Sequence, residues 1–343
     1  MRVVLVLGPS TGGIGTHVRA LAEHCVARGD QVVVVGPPST EARFHFTATG
    51  ARFVPPTRLR RALKRADVVH SHGFKAAALV GVALTFRRAP RHVVTLHNEP
   101  PALGRPVVRR PDVVLGASAD LVDRARRLGA RTVALCPVPA PPLDPPTRPR
   151  TEIRRALAVG EEESLLLTVG RLAPQKALPV LLDAAAGLAD LPVRLAIAGE
   201  GPERAALTAR IESGNLPVTL LGHRADVADL LLAADVFVLC SHWEARALVV
   251  QEALRAGVPV VTTAVGGLPD LVGDAAILVP PDDPGALARE LRRVLTNPAL
   301  RDELRAAGPA RAATWPTSDE ALAVARAWYA ATPIRPRRSA RTA

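Results

Sequence analysis

Short β-branched and leucine-rich runs, each followed by a helix-length segment, recur in two series along this chain, and a proline-rich stretch separates the series. Apolar runs without polar alternation fit strands buried on both faces. Their alternation with helices argues for parallel sheets covered on both sides. In the first series strands are expected at 2–7, 31–36, 67–70, 91–96, 112–115 and 132–135, with a Gly-rich turn and a helix over 14–28 after the first. In the second they are expected at 164–169, 193–198, 218–221, 236–240, 259–263 and 276–279, with helices near 178–189, 202–213, 226–233, 247–256 and 284–296. The stretch CPVPAPPLDPPTRPR (136–150) can be neither a helix interior nor a central strand, because proline supplies no amide donor and fixes φ. The expected division is therefore a first domain over 1–135, a linker over 136–150 and a second domain over 151–317. A terminal helix follows at 318–331, and a disordered tail at 332–343.

Composition narrows the class further. A chain of 343 residues has room for two domains, and 48% hydrophobic with 22% charged residues excludes a mostly disordered protein. Cys25, Cys136 and Cys240 are far apart, which excludes a disulfide framework and a Cys-rich zinc site. The apolar start breaks at once into Gly-Pro-Ser, unlike a secretory leader, and the longest nearly unbroken apolar run, 76–86, is shorter than the ~20 residues of a spanning helix. The expected location is cytoplasmic.

The net charge of +12 lies in the first half. Residues 1–150 carry 23 Lys and Arg against 9 Asp and Glu, and the remainder 21 against 23. Either that half meets an anionic partner, or the excess reflects composition, since Arg outnumbers Lys 41 to 3. TRLRRALKRADVV gathers Arg58, Arg60, Arg61, Lys64 and Arg65 beside Leu59 and Leu63. It reads either as a short basic helix docking peripherally on an anionic membrane or as an Arg-rich surface helix. Nucleic acid is not an expected partner, for there is neither aromatic interleaving nor a known binding module.

Three segments carry candidate chemistry. GPSTGGIGTH follows the first strand but fails two phosphate-loop templates: Ile14 stands where a Walker lysine belongs, and Val18 at the third glycine of a dinucleotide loop. Gly12 and Gly13 remain, either as bare backbone open to an anion at a helix start or as a tight turn. TVGRLAPQK places Arg171 and Lys176 beyond a strand's C-terminal end, the edge where open α/β sheets bind ligands. Two such cations suit a diphosphate; either alone could be a solvated surface group. SHWEARALVVQE puts Glu244 in a loop and Glu252 in the next helix. The free amides of Ala247, Leu248 and Val249 then lie between them, fitting phosphate at the amides and sugar hydroxyls at the carboxylates. The alternative is a solvated Glu244 and a Glu252 tied to Arg255. His70 and His72 have no third ligand at a recognisable spacing and no D-x-D triplet occurs, so no metal is expected.

In order over about residues 1–330, GGIGTHVRALAEHCVARGDQVVVV, DVVHSHG, VVTLHN, VGRLAPQK, IAGEGPER and WEARALVVQEALRAGVPVVTTAVGGLPDLV resemble the retaining GT-B glycosyltransferases of family 4, with WEARALVVQE as their E-x7-E motif. The resemblance implies an α/β fold of two Rossmann-like, doubly wound domains facing a central cleft. A nucleotide-sugar donor would sit mainly on the second domain and the acceptor mainly on the first, with the terminal helix returning to the first. Arg171 and Lys176 match the residues that hold the donor diphosphate, with Leu248 and Val249 at the helix tip beside it. Glu252 matches the ribose-binding carboxylate, and Glu244 the one near the transferred sugar. Gly12 and Gly13 match the loop that approaches phosphate and acceptor, His97 a histidine beside the sugar, and His72 lies at a neighbouring strand end on the acceptor side. No cofactor or metal is implied.

Two departures stand out. The chain reads Glu244-Ala245-Arg246-Ala247-Leu248 where many members read E-G-F-G-L, so methyl groups narrow the space beside the sugar and any positive φ would be strained. Arg246 would either add a cation to the donor site or point into solvent. Asp270 stands where Glu is common. The expected activity is metal-independent, retaining transfer of a hexose-type sugar from a UDP- or GDP-sugar to an unidentified acceptor, in cell-envelope glycan, glycolipid or small-thiol precursor synthesis. A nucleotide-sugar epimerase and a non-catalytic binding protein are the alternatives.

Overall fold

A computed structural model describes residues 1–10, 12–85 and 90–330. The chain divides into two compact units, one formed by Met1–Val138 with the segment from Pro316 onward, the other by Pro139–Trp315.

The first unit is built on seven parallel strands: β1 (Arg2–Leu7), β2 (Gln31–Val35), β3 (Arg52–Val54), β4 (Val68–His72), β5 (Arg91–Leu96), β6 (Val113–Gly116) and β7 (Val133–Leu135). Their order is β3-β2-β1-β4-β5-β6-β7. Alternate residues of β1 feed opposite cores. Val3, Leu5 and Leu7 meet Val18, Leu21 and Cys25 of the helix Gly13–Ala27, together with Leu322, Ala325 and Tyr329 of the helix Ser318–Ala330. Val4 and Val6 face Leu59, Leu63, Ala76 and Val80. A strand covered on both faces has to be apolar where it is buried, and Val3–Leu7 are.

Leu59 and Leu63 are 3% and 2% exposed, so the apolar side of the basic segment is committed to the core and is not free for a membrane. The helix there covers only Leu59–Leu63, with Arg58, Arg60, Arg61, Lys64 and Arg65 left on the surface. The helix Ser318–Ala330 is fastened by polar contacts as well. Arg326 donates to Asp30 at 2.8 Å, Asp30 also accepts from the Met1 amino group at 2.9 Å, and the Tyr329 hydroxyl meets His70 Nδ1 at 2.8 Å. Burial works against ionised Asp30, but the Arg326 and Met1 hydrogen bonds outweigh it and hold the carboxyl below its usual range.

The second unit repeats the plan with β8 (Ser164–Val169), β9 (Val193–Ala198), β10 (Val218–Gly222), β11 (Val236–Leu239), β12 (Val260–Thr263) and β13 (Ile277–Val279), in the order β10-β9-β8-β11-β12-β13. Leu165 and Leu167 enter one core with Phe237 and Leu239, while Leu166 enters the other with Val236 and Val238. In both sheets the winding reverses beside the first strand, between β1 and β4 and between β8 and β11. Such a reversal opens a crevice at the C-terminal strand ends. The second crevice is accentuated by short pairing, for β8 and β11 are in register only at Val236 with Leu166 and Phe237 with Leu167.

Among the elements that the sequence pattern did not announce are β3 and the helix Pro298–Ala313. β3 has only three residues, too few to show a period. The helix Pro298–Ala313 contains Gly308-Pro309, which reads as a break. Pro298 instead occupies its first turn, where no amide donor is needed, and the Asn297 side chain accepts from Leu300 N at 3.1 Å. Gly308 admits the Leu254 backbone, which would lie 2.8 Å from an added Cβ.

The proline-rich stretch contains no helix or strand over 136–149, yet most of it is pinned to the second unit. Ala140 N donates to Gln251 Oε1 at 2.9 Å, and Thr147 and Arg148 donate to Asp229. The tail expected over 332–343 lies outside the described residues, as do Ala331, residues 86–89 at the end of the apolar run, and Thr11 in the first glycine loop. Among the described residues no helix is long and apolar enough to cross a membrane.

Candidate functional site

The cluster in the second unit forms where two loops leave β8 and β11. After Val169 the chain turns through Gly170 and Arg171 into a 3₁₀ turn, Pro174–Lys176. Backbone bonds fix that turn: Gly170 N donates to Ala198 O at 2.9 Å, and Leu172 N to Glu200 O at 3.0 Å. The approach is so close that an added Cβ on Gly199, at φ +150°, would lie 1.8 Å from Gly170 O, and one on Gly201 2.2 Å from Leu172 O. Glycine in the GEG loop therefore sets the height of the Arg171 loop. Arg171 is exposed and makes no ion pair among the described residues.

Lys176 is placed differently. Its Nζ lies 2.5 Å from Glu244 Oε1, and Ser241 Oγ donates to the same oxygen at 2.8 Å. Gln175 joins the loops again, its side chain donating to Trp243 O at 2.7 Å and its carbonyl accepting from His242 N at 2.9 Å. With side chains 18% and 10% exposed, the Lys176–Glu244 pair is partly withdrawn from water, unlike a solvated surface pair. Gly266 completes the seat. Its φ is +53° and an added Cβ would lie 2.0 Å from Glu244 O, while Gly267 N donates to that carbonyl at 2.8 Å. Ser241 and Gly266 escaped the sequence reading. The available signals were a serine three residues before Glu244 and a glycine pair after β12.

The helix Leu248–Arg255 begins at Ala247, whose side chain cannot cap it, so the first-turn amides of Leu248 and Val249 have no side-chain acceptor from that residue. Ala247 has φ −58°, and neither Ala245 nor Arg246 has a positive φ, so alanine there is unstrained. Glu252 lies one turn into the helix, where burial raises its carboxyl to about 6 and Arg255 opposes the rise. Among the described residues Glu252 makes no ion pair. Arg255 donates to Ala140 O at 2.6 Å instead. Arg246 neither joins the donor cations nor reaches solvent freely: its guanidinium packs 5.5 Å from the Trp315 ring, with Nε and Nη2 buried and lacking partners. Burial, then Arg255 and Arg311, lower it to about 10. The Asp270 side chain is exposed, and Arg311 bonds its carbonyl.

In the first unit, Gly12 precedes the helix Gly13–Ala27, and space for 4 Å around a hypothetical Cβ shows an open turn. Gly15 is the glycine that packing demands, its added Cβ lying 2.1 Å from Phe44. His72 ends β4 and His97 follows β5. Their Nδ1 and Nε2 atoms are 3.2 Å apart. His70 is not a strand-end polar group. It lies within β4, fully buried, bonded to Tyr329 and at 2.7 Å to Thr95 Oγ1. No sequence spacing links a further imidazole to His72, but the fold brings His17 of the helix Gly13–Ala27 beside it. The His17 ring centroid is 5.4 Å from that of His72 and 5.3 Å from that of His97. Burial lowers His17 to about 4, and burial followed by the neighbouring imidazoles holds His72 and His97 well below the usual histidine range.

Known proteins share the two domain signatures and the fold. Residues 12–141 match the glycosyl transferase 4-like domain, and residues 149–311 match glycosyl transferases group 1. A D-inositol 3-phosphate glycosyltransferase of Geodermatophilus obscurus is 35% identical over 301 residues, covering 76% of this chain and 66% of that protein. The putative teichuronic acid biosynthesis glycosyltransferase TuaC of Bacillus subtilis is 30% identical, covering 69% of this chain and 64% of the relative. The matches thus span about two thirds of these relatives' length. Among solved structures, Anabaena HepE in complex with UDP and glucose superimposes with a TM-score of 0.85 at 18% identity, covering 96% of this chain and 100% of HepE, a likeness of fold. Two parallel-sheet, Rossmann-like domains carrying these two signatures in succession make the chain a GT-B member of the group 1 glycosyltransferases, with a family 4-like N-terminal domain.

Proposed function

We propose that the protein transfers a hexose-type sugar from a nucleotide diphosphate sugar to an acceptor, with retention of configuration. The observation that carries this reading is the seat of Lys176 and Glu244. A cation and a carboxylate are held side by side at the C-terminal edge of β8 and β11, next to exposed Arg171 and an uncapped helix tip.

The leaving nucleoside diphosphate accumulates negative charge. Arg171, Lys176 and the Leu248 and Val249 amides stabilise it where it develops, from positions fixed before the reaction. In the free protein Glu244 neutralises Lys176. On donor binding the lysine turns to phosphate and the carboxylate accepts from hydroxyls of the transferred sugar. Glu252 accepts from the ribose. Gly12, Gly13, His72 and His97 serve the sugar and acceptor on the first unit. These cations perform the task a metal performs at other diphosphates, so transfer is expected to need no metal there. UDP is the first donor base to test, because HepE structures hold UDP and UDP-glucose, with GDP second. We place the acceptor in cell-envelope glycan, glycolipid or small-thiol precursor synthesis; the relatives named for teichuronic acid biosynthesis and for D-inositol 3-phosphate give two acceptor chemistries to test first.

Calorimetric titration with UDP, GDP and ADP, followed by transfer assays with the corresponding sugars in EDTA, tests the reading. Binding of one nucleotide that weakens in Lys176→Ala supports it. Failure of all three to bind sinks it, and product formed from donor without any acceptor would indicate epimerisation.

A further inference from the structure

We propose that His17, His72 and His97 together bind one divalent transition-metal cation of the zinc class. The three imidazoles come from three separate elements: the helix Gly13–Ala27, the end of β4 and the loop after β5. Their ring centroids are 5.3 to 5.5 Å apart. Each ring offers a nitrogen within 4.8 Å of the other two. His72 Nδ1 and His97 Nε2 share a 3.2 Å hydrogen bond, a separation close to the roughly 3.3 Å between two nitrogens on a tetrahedral zinc with bonds near 2.05 Å, so an ion would take the place of the shared proton.

A second, independent observation points to a missing ligand. His17 Nε2 is shielded from solvent and has no hydrogen-bond partner, in a residue only 4% exposed. Buried polar atoms are otherwise nearly always satisfied. The structural histidines of the same sheet follow that rule: His70 is bonded at both ring nitrogens, and His92 Nε2 meets Ser71 Oγ at 2.8 Å. Burial keeps all three rings neutral, the protonation state that ligates. An all-imidazole set selects zinc, cobalt, nickel or copper over magnesium and calcium, and three protein ligands leave a fourth position open.

His72 and His97 also belong to the sugar side of the proposed transfer site, so an ion here withdraws them from substrate and inhibits transfer. Metal binding itself does not depend on that reading. The test uses the full-length, EDTA-treated protein without nucleotide, titrated with Co2+ and followed by the visible absorption of tetrahedral cobalt, then displaced with Zn2+. The expected result is one ion per chain, with affinity at least tenfold weaker in His17→Gln and in His97→Gln and unchanged in His223→Gln and His242→Gln, which are exposed. Absence of a tetrahedral signal, or binding that survives His17→Gln, overturns the proposal. Should a variant not fold, 15N spectra of the wild-type imidazoles with and without Zn2+ decide. Shifts at His17, His72 and His97 support the site, and shifts confined to His45, His223 and His242 refute it. A protein that binds Co2+ but no nucleotide would sink only the transferase reading.

Discussion

Lys176 and Glu244 are 68 residues apart in sequence and 2.5 Å apart in space, joined across the point where the second sheet reverses its winding. Neither side chain alone makes the site. The pair exists because Gly199 and Gly201 let one loop settle on the next strand's loop, and Gly266 lets another settle on the Glu244 carbonyl.

Removing the cation should weaken nucleotide binding more than it weakens the fold. A charge-assisted hydrogen bond to phosphate contributes about 1.5–3 kcal/mol, so Lys176→Ala is expected to lower UDP affinity roughly 10- to 100-fold by calorimetry. Glu244→Gln keeps a polar group beside Ser241 and should bind UDP within a few-fold of wild type while losing transfer rate.

Gly266 should tolerate no side chain. A methyl group would overlap Glu244 O and the backbone is left-handed, so Gly266→Ala is expected to cost about 2–4 kcal/mol in urea unfolding. An unchanged denaturation midpoint would show that the loop yields.

Glu252 makes stability and binding depend on pH in opposite senses. Its folded value of about 6 exceeds the ordinary 4.5, so the ionised form destabilises the fold above pH 6, and the penalty fades as pH falls toward 4.5. Glu252→Gln should therefore be about 1–2 kcal/mol more stable than wild type at pH 7.5 and equal to it near pH 4. If the carboxylate accepts from ribose, UDP affinity of the wild type falls as pH drops through 6. Calorimetry across pH 5–8 on both proteins separates the two effects.

Tyr329→Phe removes a buried partner of His70 without changing the ring. Leaving Nδ1 unsatisfied is expected to cost about 1–3 kcal/mol and lower the melting temperature, with UDP affinity unchanged because the contact lies in the first unit.

Arg246→Met should stabilise the protein by about 1 kcal/mol. The substitution relieves a guanidinium with two buried, partnerless nitrogens, although it gives up the Trp315 stacking. Donor affinity should stay within twofold, since the guanidinium packs on the Trp315 ring. A large loss would place Arg246 in the donor site after all.

The strands were legible in the sequence because a parallel strand covered on both faces must be largely apolar, and Val3–Leu7 and Leu165–Leu167 are unbroken apolar runs. The placement of Arg171 and Lys176 after β8, of Glu244 after β11 and of Glu252 in the next helix was legible because local pattern fixes strand ends and helix starts. What local pattern could not supply was partnership between residues distant in the chain: Lys176 with Glu244, His17 with His72 and His97, Tyr329 with His70. The direction of Arg246 and the burial of Leu59 and Leu63 were equally out of reach, because an arginine or a leucine face has the same period whether it meets solvent, membrane or a core. Those outcomes depend on which surfaces the winding of each sheet brings within van der Waals and hydrogen-bond distance, and only the folded chain sets that.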